Sequence, residues 1–357
     1  MYEKKLNKKT NIQLWNSKNN NKIIIMEIEN GNNLHQQPTT SIIYTYFSIY
    51  LFACCGILIR IFITMAATTT LPSSPTSKYF GTGYLIQNIV GTFILGILSN
   101  VKKGKYFISP SITTGFCGSL TTYSSWQLYI TIHLLLKNNY QILDALMNGI
   151  VCHCMFYIAF VVGRHVGEWM TYKNKIIDLP LASSKFYRSY QLFIIFATIF
   201  IFIILLILTF IVENVLRPYI LCCLLGSFGA LLRYKLGLYN EVNNSTRFRY
   251  LFTFIANVSG TIIIYIVYFI GIRNNTSSFK NEIEIGTGVW SNDLLYSIQI
   301  GFCGSLTTVS TFMNELYTLS TSGKEGVTKE RGYLYQYIVI TFVTCQILGL
   351  ILSFIFV

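Results

Sequence analysis

Charge is scarce in this sequence. Only 11% of its 357 residues are charged, and Asp and Glu together number 14. A soluble domain carries about 25% charged residues. The deficit comes with 52% hydrophobic residues and a mean hydropathy of +0.50. Together these exclude an ordinary soluble fold and indicate a membrane protein. The formal net charge of +13 does not point to nucleic acid. Lys and Arg sit in short segments between apolar runs, which is the pattern of topology signals.

Metal-ligand and disulfide spacings are missing as well. The nine cysteines all fall inside apolar segments. Cys152 and Cys154 flank His153 and so do not share a helix face, which makes them small packing residues rather than ligands. No nucleophile–base or metal constellation appears, so an enzyme is not expected. Acids deep in a helix are lacking too. Glu315 and Asp144 read as lying near helix ends, and no proton relay is evident. Nor is there a cleavable signal peptide. Residues 1–41 are polar and rich in Asn and Lys, and read as a disordered cytoplasmic tail.

What the chain does have is long apolar runs. A membrane span needs about 20 mostly apolar residues. Helices are expected near 42–65, 81–100, 107–135, 140–163, 190–212, 217–238, 247–271, 287–318 and 333–356. Two of them, around 115–122 and 301–308, are interrupted by Gly, Ser and Thr. Such breaks are tolerated at membrane depth where the backbone is buried in protein or lines a cavity. With the N-terminus placed inside, 21 Lys and Arg fall on the cytoplasmic side and 5 outside. The bias predicts a cytoplasmic N-terminus and a C-terminus outside. The sequon Asn274-Asn275-Thr276 then lies in an outside loop.

The chain also repeats itself. Residues 115–122 and 301–308 both read GFCGSLTT. Cys55-Gly56-Ile57-Leu58-Ile59-Arg60 answers Phe228-Gly229-Ala230-Leu231-Leu232-Arg233. Asn88-Ile89-Val90-Gly91-Thr92 answers Asn257-Val258-Ser259-Gly260-Thr261. The organisation is thus a tail at 1–41, a first repeat at 42–167, a linker at 168–216 and a second repeat at 217–357. The linker helix at 190–212 is almost purely apolar. Four helices return a chain to its starting side, and this fifth starts the second repeat from the opposite side. The expected fold is an all-α membrane protein with nine transmembrane helices. Two inverted four-helix repeats are joined by a linker helix, and the third helix of each is broken.

Polar groups at membrane depth mark candidate sites. Asn88 and Asn257 sit mid-helix. Either they bond across helices, or their amide N–H groups solvate an anion. Arg60 and Arg233 read as lying near helix ends, where they either snorkel or draw anions into a vestibule. The broken helices free backbone carbonyls that can hold a small cation, while half-helix N-termini favour anions. After the octapeptides the copies diverge, into Tyr123-Ser124-Ser125-Trp126 and Val309-Ser310-Thr311-Phe312. Aromatic edges carry partial positive charge and suit an anion, though ordinary packing explains an isolated pair. On the last helix Tyr337, Thr341 and Thr344 form a hydroxyl stripe. Asn148 and Cys152 are the poorer counterpart in the first copy.

These motifs, Asn-x-x-Gly-Thr followed by GFCGSLTT and a Ser-containing aromatic segment, resemble the CrcB/Fluc fluoride channel family. The two-repeat layout is similar to its eukaryotic exporter form (FEX). The resemblance implies passive fluoride efflux across the plasma membrane by a monomer with internal pseudo-symmetry. It implies a structural sodium ion held by the carbonyls of Gly118, Thr121, Gly304 and Thr307. It also implies an anion path past Asn88 or Asn257, an aromatic box mapping to Tyr123, Trp126, Val309 and Phe312, Ser310 and Thr311 beside it, and a track at Tyr337 and Thr341. Only Phe312 keeps the family's phenylalanine. The uneven boxes imply one working pore of two. A coupled transporter of another small ion is the alternative reading, and a membrane scaffold is the bland one.

Overall fold

A computed structural model describes residues 2–6, 12–17, 23–27, 39–70, 83–100, 110–136, 142–173, 184–212, 215–242, 249–273, 289–321 and 327–356. They form two units, Met1–Tyr46 and Phe47–Val357. In the first unit, strands β1 (Tyr2–Leu6), β2 (Ile12–Ser17) and β3 (Ile23–Glu27) make an antiparallel sheet in the order β1-β2-β3. Tyr2 stands opposite Ser17, and Ile12 opposite Glu27. Disorder was the expectation for this tail. The polar composition masked short runs of good strand formers such as Ile23-Ile24-Ile25. No other strand occurs among the described residues.

Among the described residues after the tail the regular elements are all helices. α1 (Thr39–Thr70) and α2 (Leu85–Asn100) come first. The third helix is in two halves. α3 runs as a π-helical segment, Ser111–Cys117, into a single turn, Gly118–Leu120. α4 runs from Ser124–Tyr129 into a second π-helical segment, Ile130–Leu136. Then follow α5 (Ile142–Lys173), the linker helix α6 (Ser184–Ile211), α7 (Arg217–Val242) and α8 (Leu251–Arg273). The broken helix recurs as α9 and α10. α9 comprises Trp290–Tyr296, the π-helical Ser297–Cys303 and the turn Gly304–Leu306, and α10 is Ser310–Thr321. Helix α11 (Val327–Phe356) closes the chain.

Over the described residues seven expected spans each overlap one of these elements, and the spans 107–135 and 287–318 each overlap the two halves of a broken helix. Among the described residues six helices are long and apolar enough to cross a membrane, and α2 is a shorter apolar helix. The chain is therefore a multi-pass membrane protein. The Asn274 sequon lies outside the described residues.

Helix contacts rest on close backbone approach, because lipid supplies no hydrophobic drive between apolar helices. Gly163 and Gly167, spaced as G-x-x-x-G on α5, face α2. A Cβ on Gly167 would lie 2.5 Å from the Ile97 carbonyl oxygen, and one on Gly163 would collide with that of Phe93. The repeats share their packing. A Cβ on Gly56 would meet the Phe116 oxygen at 2.5 Å, and one on Gly229 would meet the Phe302 oxygen at the same distance. Linker α6 presents exposed Phe193, Phe196, Phe200 and Phe210 outward. Its buried Thr198 donates to the carbonyls of Ile194 (2.7 Å) and Phe47 (3.2 Å).

Candidate functional site

The two helix breaks lie against each other. Thr121 (φ −91°, ψ 151°) and Thr307 (φ −90°, ψ 154°) leave the helix in extended conformation. Each threonine turns its hydroxyl back to the carbonyl four residues earlier, Cys117 at 3.1 Å and Cys303 at 2.9 Å. Each hydroxyl also serves the opposite repeat. Thr121 Oγ1 accepts from the Ser310 backbone N–H (3.3 Å), and Thr307 Oγ1 from that of Ser124 (3.1 Å). The Ser310 hydroxyl donates to the Cys117 carbonyl and the Ser124 hydroxyl to that of Cys303, both at 3.3 Å. The octapeptide is identical in both copies because each copy must fit the other at this crossing.

Asn88 and Asn257 hold the breaks open. Asn88 Nδ2 donates to the Thr122 carbonyl (3.0 Å), and its Oδ1 accepts from the Thr122 N–H (2.7 Å). Asn257 treats Thr308 identically, at 3.3 and 2.8 Å. A buried backbone group without a partner costs about 1–3 kcal/mol, so an asparagine at each break replaces the missing helical bonds. Three residues on, the motif glycine makes room. A Cβ on Gly91 would lie 2.6 Å from the Thr121 methyl, and one on Gly260 would collide with that of Thr307.

The arginines need a correction. Arg60 and Arg233 are 2% and 5% exposed, so they are buried at the crossing rather than standing in open vestibules. α1 continues ten residues past Arg60 and α7 nine past Arg233, so neither side chain is near a helix end. Arg233 Nη1 donates to the carbonyls of Gly118 (2.9 Å), Thr307 (3.2 Å) and Ser305, and Nη2 to that of Thr114 (2.6 Å). Arg60 Nη2 donates to the Ile300 carbonyl (2.5 Å), while its Nε and Nη1 have no partner among the described residues.

This bears on the sodium expected here. Two of the four carbonyls assigned to it, Gly118 and Thr307, already serve the Arg233 guanidinium. A sodium ion on the same oxygens would stand on the order of 4 Å from that charge, a repulsion of about 4 kcal/mol at an effective dielectric of about 20. As arranged, the carbonyl set does not fit a metal ion and this guanidinium together.

Beyond the crossing the two sides differ. On the second-repeat side, the Phe312 ring lies 4.8 Å from Tyr337 and 5.8 Å from Tyr123, edge-on in both pairs. Tyr337 donates its phenol proton to Glu315 (2.9 Å), and Thr253 donates to the same carboxylate (2.5 Å). Tyr123 is fully buried, and its hydroxyl has no partner among the described residues. Thr341 returns its hydroxyl to the Tyr337 carbonyl (2.7 Å). Thr311 caps the break, its N–H donating to the Thr308 hydroxyl (3.3 Å), and Ser310 likewise belongs to the crossing.

The first-repeat side is filled. Trp126 donates its indole N–H to Asn148 (2.9 Å), and Tyr84 donates to the same amide oxygen (3.3 Å). Trp126 is packed by His153, Phe156, Phe342 and Tyr84. Val309 is fully buried and brings no ring. The substitutions are positional. Tyr84 and Thr253 both lie four residues before the motif asparagine, and Tyr129 and Glu315 both lie three after the box aromatic. The first copy has Tyr, Tyr and Trp where the second has Thr, Glu and Phe.

Sequence reasoning missed Thr253, Tyr84 and His153, and misplaced Glu315, which is buried mid-way along α10. Comparing positions around the two Asn-x-x-Gly-Thr motifs would have found the Tyr84/Thr253 pair.

Comparison with known proteins agrees with the repeat. The sequence profile of the family described as CrcB-like protein, Camphor Resistance (CrcB), matches residues 47–164 and again 220–352. The chain is 30% identical over 239 residues to Fluoride export protein 1 of Candida albicans, covering 62% of this chain and 57% of that protein. It is 26% identical over 312 residues to Fluoride export protein 2 of Saccharomyces cerevisiae (72% and 82%). With Fluoride export protein 1 of Schizosaccharomyces pombe it shares 29% over 325 residues (85% and 94%). No solved structure matches significantly.

Proposed function

Since the chain belongs to the CrcB-like family, whose profile covers both of its repeats, we propose that it is a passive fluoride channel that lets cytosolic fluoride leave the cell. The relatives named above as fluoride export proteins support this reading. The observation that carries it in this chain is the edge-on aromatic and hydroxyl line formed by Tyr123, Phe312 and Tyr337 beside the crossing. Fluoride must shed water to pass a narrow path. Ring edges and the Tyr123 hydroxyl, which has no partner among the described residues, offer partial positive charge there without a full charge to trap the ion.

One path conducts, and it is the one on the second-repeat side. On the other side the polar groups of Trp126, Tyr84 and Asn148 are bonded to one another, which commits them to the protein rather than to an anion. Asn88 and Asn257 act by holding the breaks in shape. Nine spans, a cytoplasmic N-terminus, the plasma membrane and a monomeric state complete the reading.

A second reading has one observation in its favour. Buried Glu315, held by Thr253 and Tyr337, is an acid at membrane depth of the kind coupled transporters use. The test is expression in a cell lacking its own fluoride exporter. Restored growth in fluoride, lost with Phe312→Ala, is expected. Unchanged sensitivity with the protein present at the cell surface refutes the proposal.

A further inference from the structure

The guanidinium of Arg233 stands where two repeats meet, and its bonds are shared between them. Thr114 and Gly118 belong to the first repeat, Ser305 and Thr307 to the second. Carbonyls freed by a broken helix are costly unless something donates to them. One fixed cation here meets four of them. We propose that Arg233 is the resident cation of the crossing, taking the part a bound metal ion would otherwise play, so that the centre of this protein is held without sodium.

Three observations support this. First, the octapeptide glycine is shaped to the guanidinium. A Cβ on Gly118 would collide with Arg233 Nη2, so glycine is what lets the guanidinium sit against this backbone as it does. Second, the set is cross-repeat. Arg233 comes from the second repeat and reaches carbonyls of both, as a shared central ion would. Third, the pseudo-symmetry is broken in the way that a single central charge requires. Arg60 also approaches the crossing, with its Nη1 only 2.6 Å from where a Cβ on Gly304 would be. Yet it keeps one bond, to Ile300, and its Nη1 has no partner among the described residues, whereas Arg233 lacks one only at Nε. Two like charges cannot share one carbonyl set. Arg233 holds it, and Arg60 is left with the Ile300 carbonyl alone.

The inference rests on the proposed function only where flux is the readout. Its main test is independent of flux. The purified full-length protein is unfolded thermally in detergent, with sodium titrated against N-methylglucamine at constant ionic strength. A site that binds sodium raises the midpoint as sodium approaches saturation. The account expects no sodium-dependent shift for the wild type, and a sodium-dependent rise for Arg233→Gln, whose carbonyls have lost their cation. Stabilisation of the wild type by sodium overturns the proposal, and that arm stands even where Arg233→Gln does not fold. Fluoride efflux from liposomes, made with and without sodium, is the second readout. Equal rates support the inference, and loss of flux on sodium removal contradicts it. Absence of fluoride flux in both conditions refutes the channel reading and leaves the thermal result to decide the cation.

Discussion

Tyr337 and Glu315 are joined by a 2.9 Å hydrogen bond in which the phenol donates to the carboxylate. In the first repeat the matching positions hold Asn148 and Tyr129, neither of them an acid. This pair distinguishes the second-repeat side from the first, and the effects of substitution follow from it.

Changes on the second-repeat side are expected to be severe. Phe312→Ala and Tyr337→Phe each remove a group from the anion line. Each should lower fluoride efflux by on the order of tenfold or more, since one lost favourable contact of about 1.4 kcal/mol is a factor of ten. The matching changes on the first-repeat side, Trp126→Phe and Asn148→Ala, should leave efflux within about threefold. Efflux from liposomes, normalised to protein, measures both.

The asparagines should behave as structural braces. Asn257→Ala leaves the Thr308 N–H and carbonyl buried without partners, as Asn88→Ala does for Thr122. Each is expected to cost about 2–6 kcal/mol of stability at about 1–3 kcal/mol per orphaned group. A lowered unfolding midpoint for both variants, irrespective of which side conducts, checks this.

Much of this architecture was legible beforehand, and the reasons are physical. The octapeptide pair was visible because two backbones in mutual contact constrain eight positions in both copies. The helices were visible because lipid demands long apolar runs. The arginines were not, because a position between an apolar run and a loop reads as an end in one dimension. α1 and α7 in fact run on, and the side chains turn inward. Glu315 was misjudged for the same reason. The break shortens the helix on paper, but α10 continues to Thr321 and buries the carboxylate under Thr253 and Tyr337. The drift of the aromatic box was plain in the sequence. Which aromatic faces which partner was not, since Tyr123 of one repeat pairs with Phe312 of the other.

Close packing yields a further expectation. Gly167→Leu forces α5 away from α2, whose Ile97 carbonyl lies 2.5 Å from the glycine's would-be Cβ. Inserting such bulk at a packed helix crossing costs about 1–3 kcal/mol or more. A fall in the unfolding midpoint is expected, with loss of the folded fraction on size-exclusion in detergent.

The Glu315 carboxylate separates a channel from a coupled carrier. With Glu315→Gln a passive path keeps fluoride moving down its gradient, at a changed rate. A proton-coupled mechanism loses pH-driven uptake entirely. Fluoride uptake driven by an imposed pH gradient, in wild type and variant, distinguishes the two.

The most direct measurement is fluoride efflux from liposomes loaded with potassium fluoride. Passive conduction separates charge, so efflux should be slight until valinomycin lets potassium follow, and then rapid. Efflux that proceeds at full rate without valinomycin, or that follows a proton gradient instead of the membrane voltage, would contradict the channel.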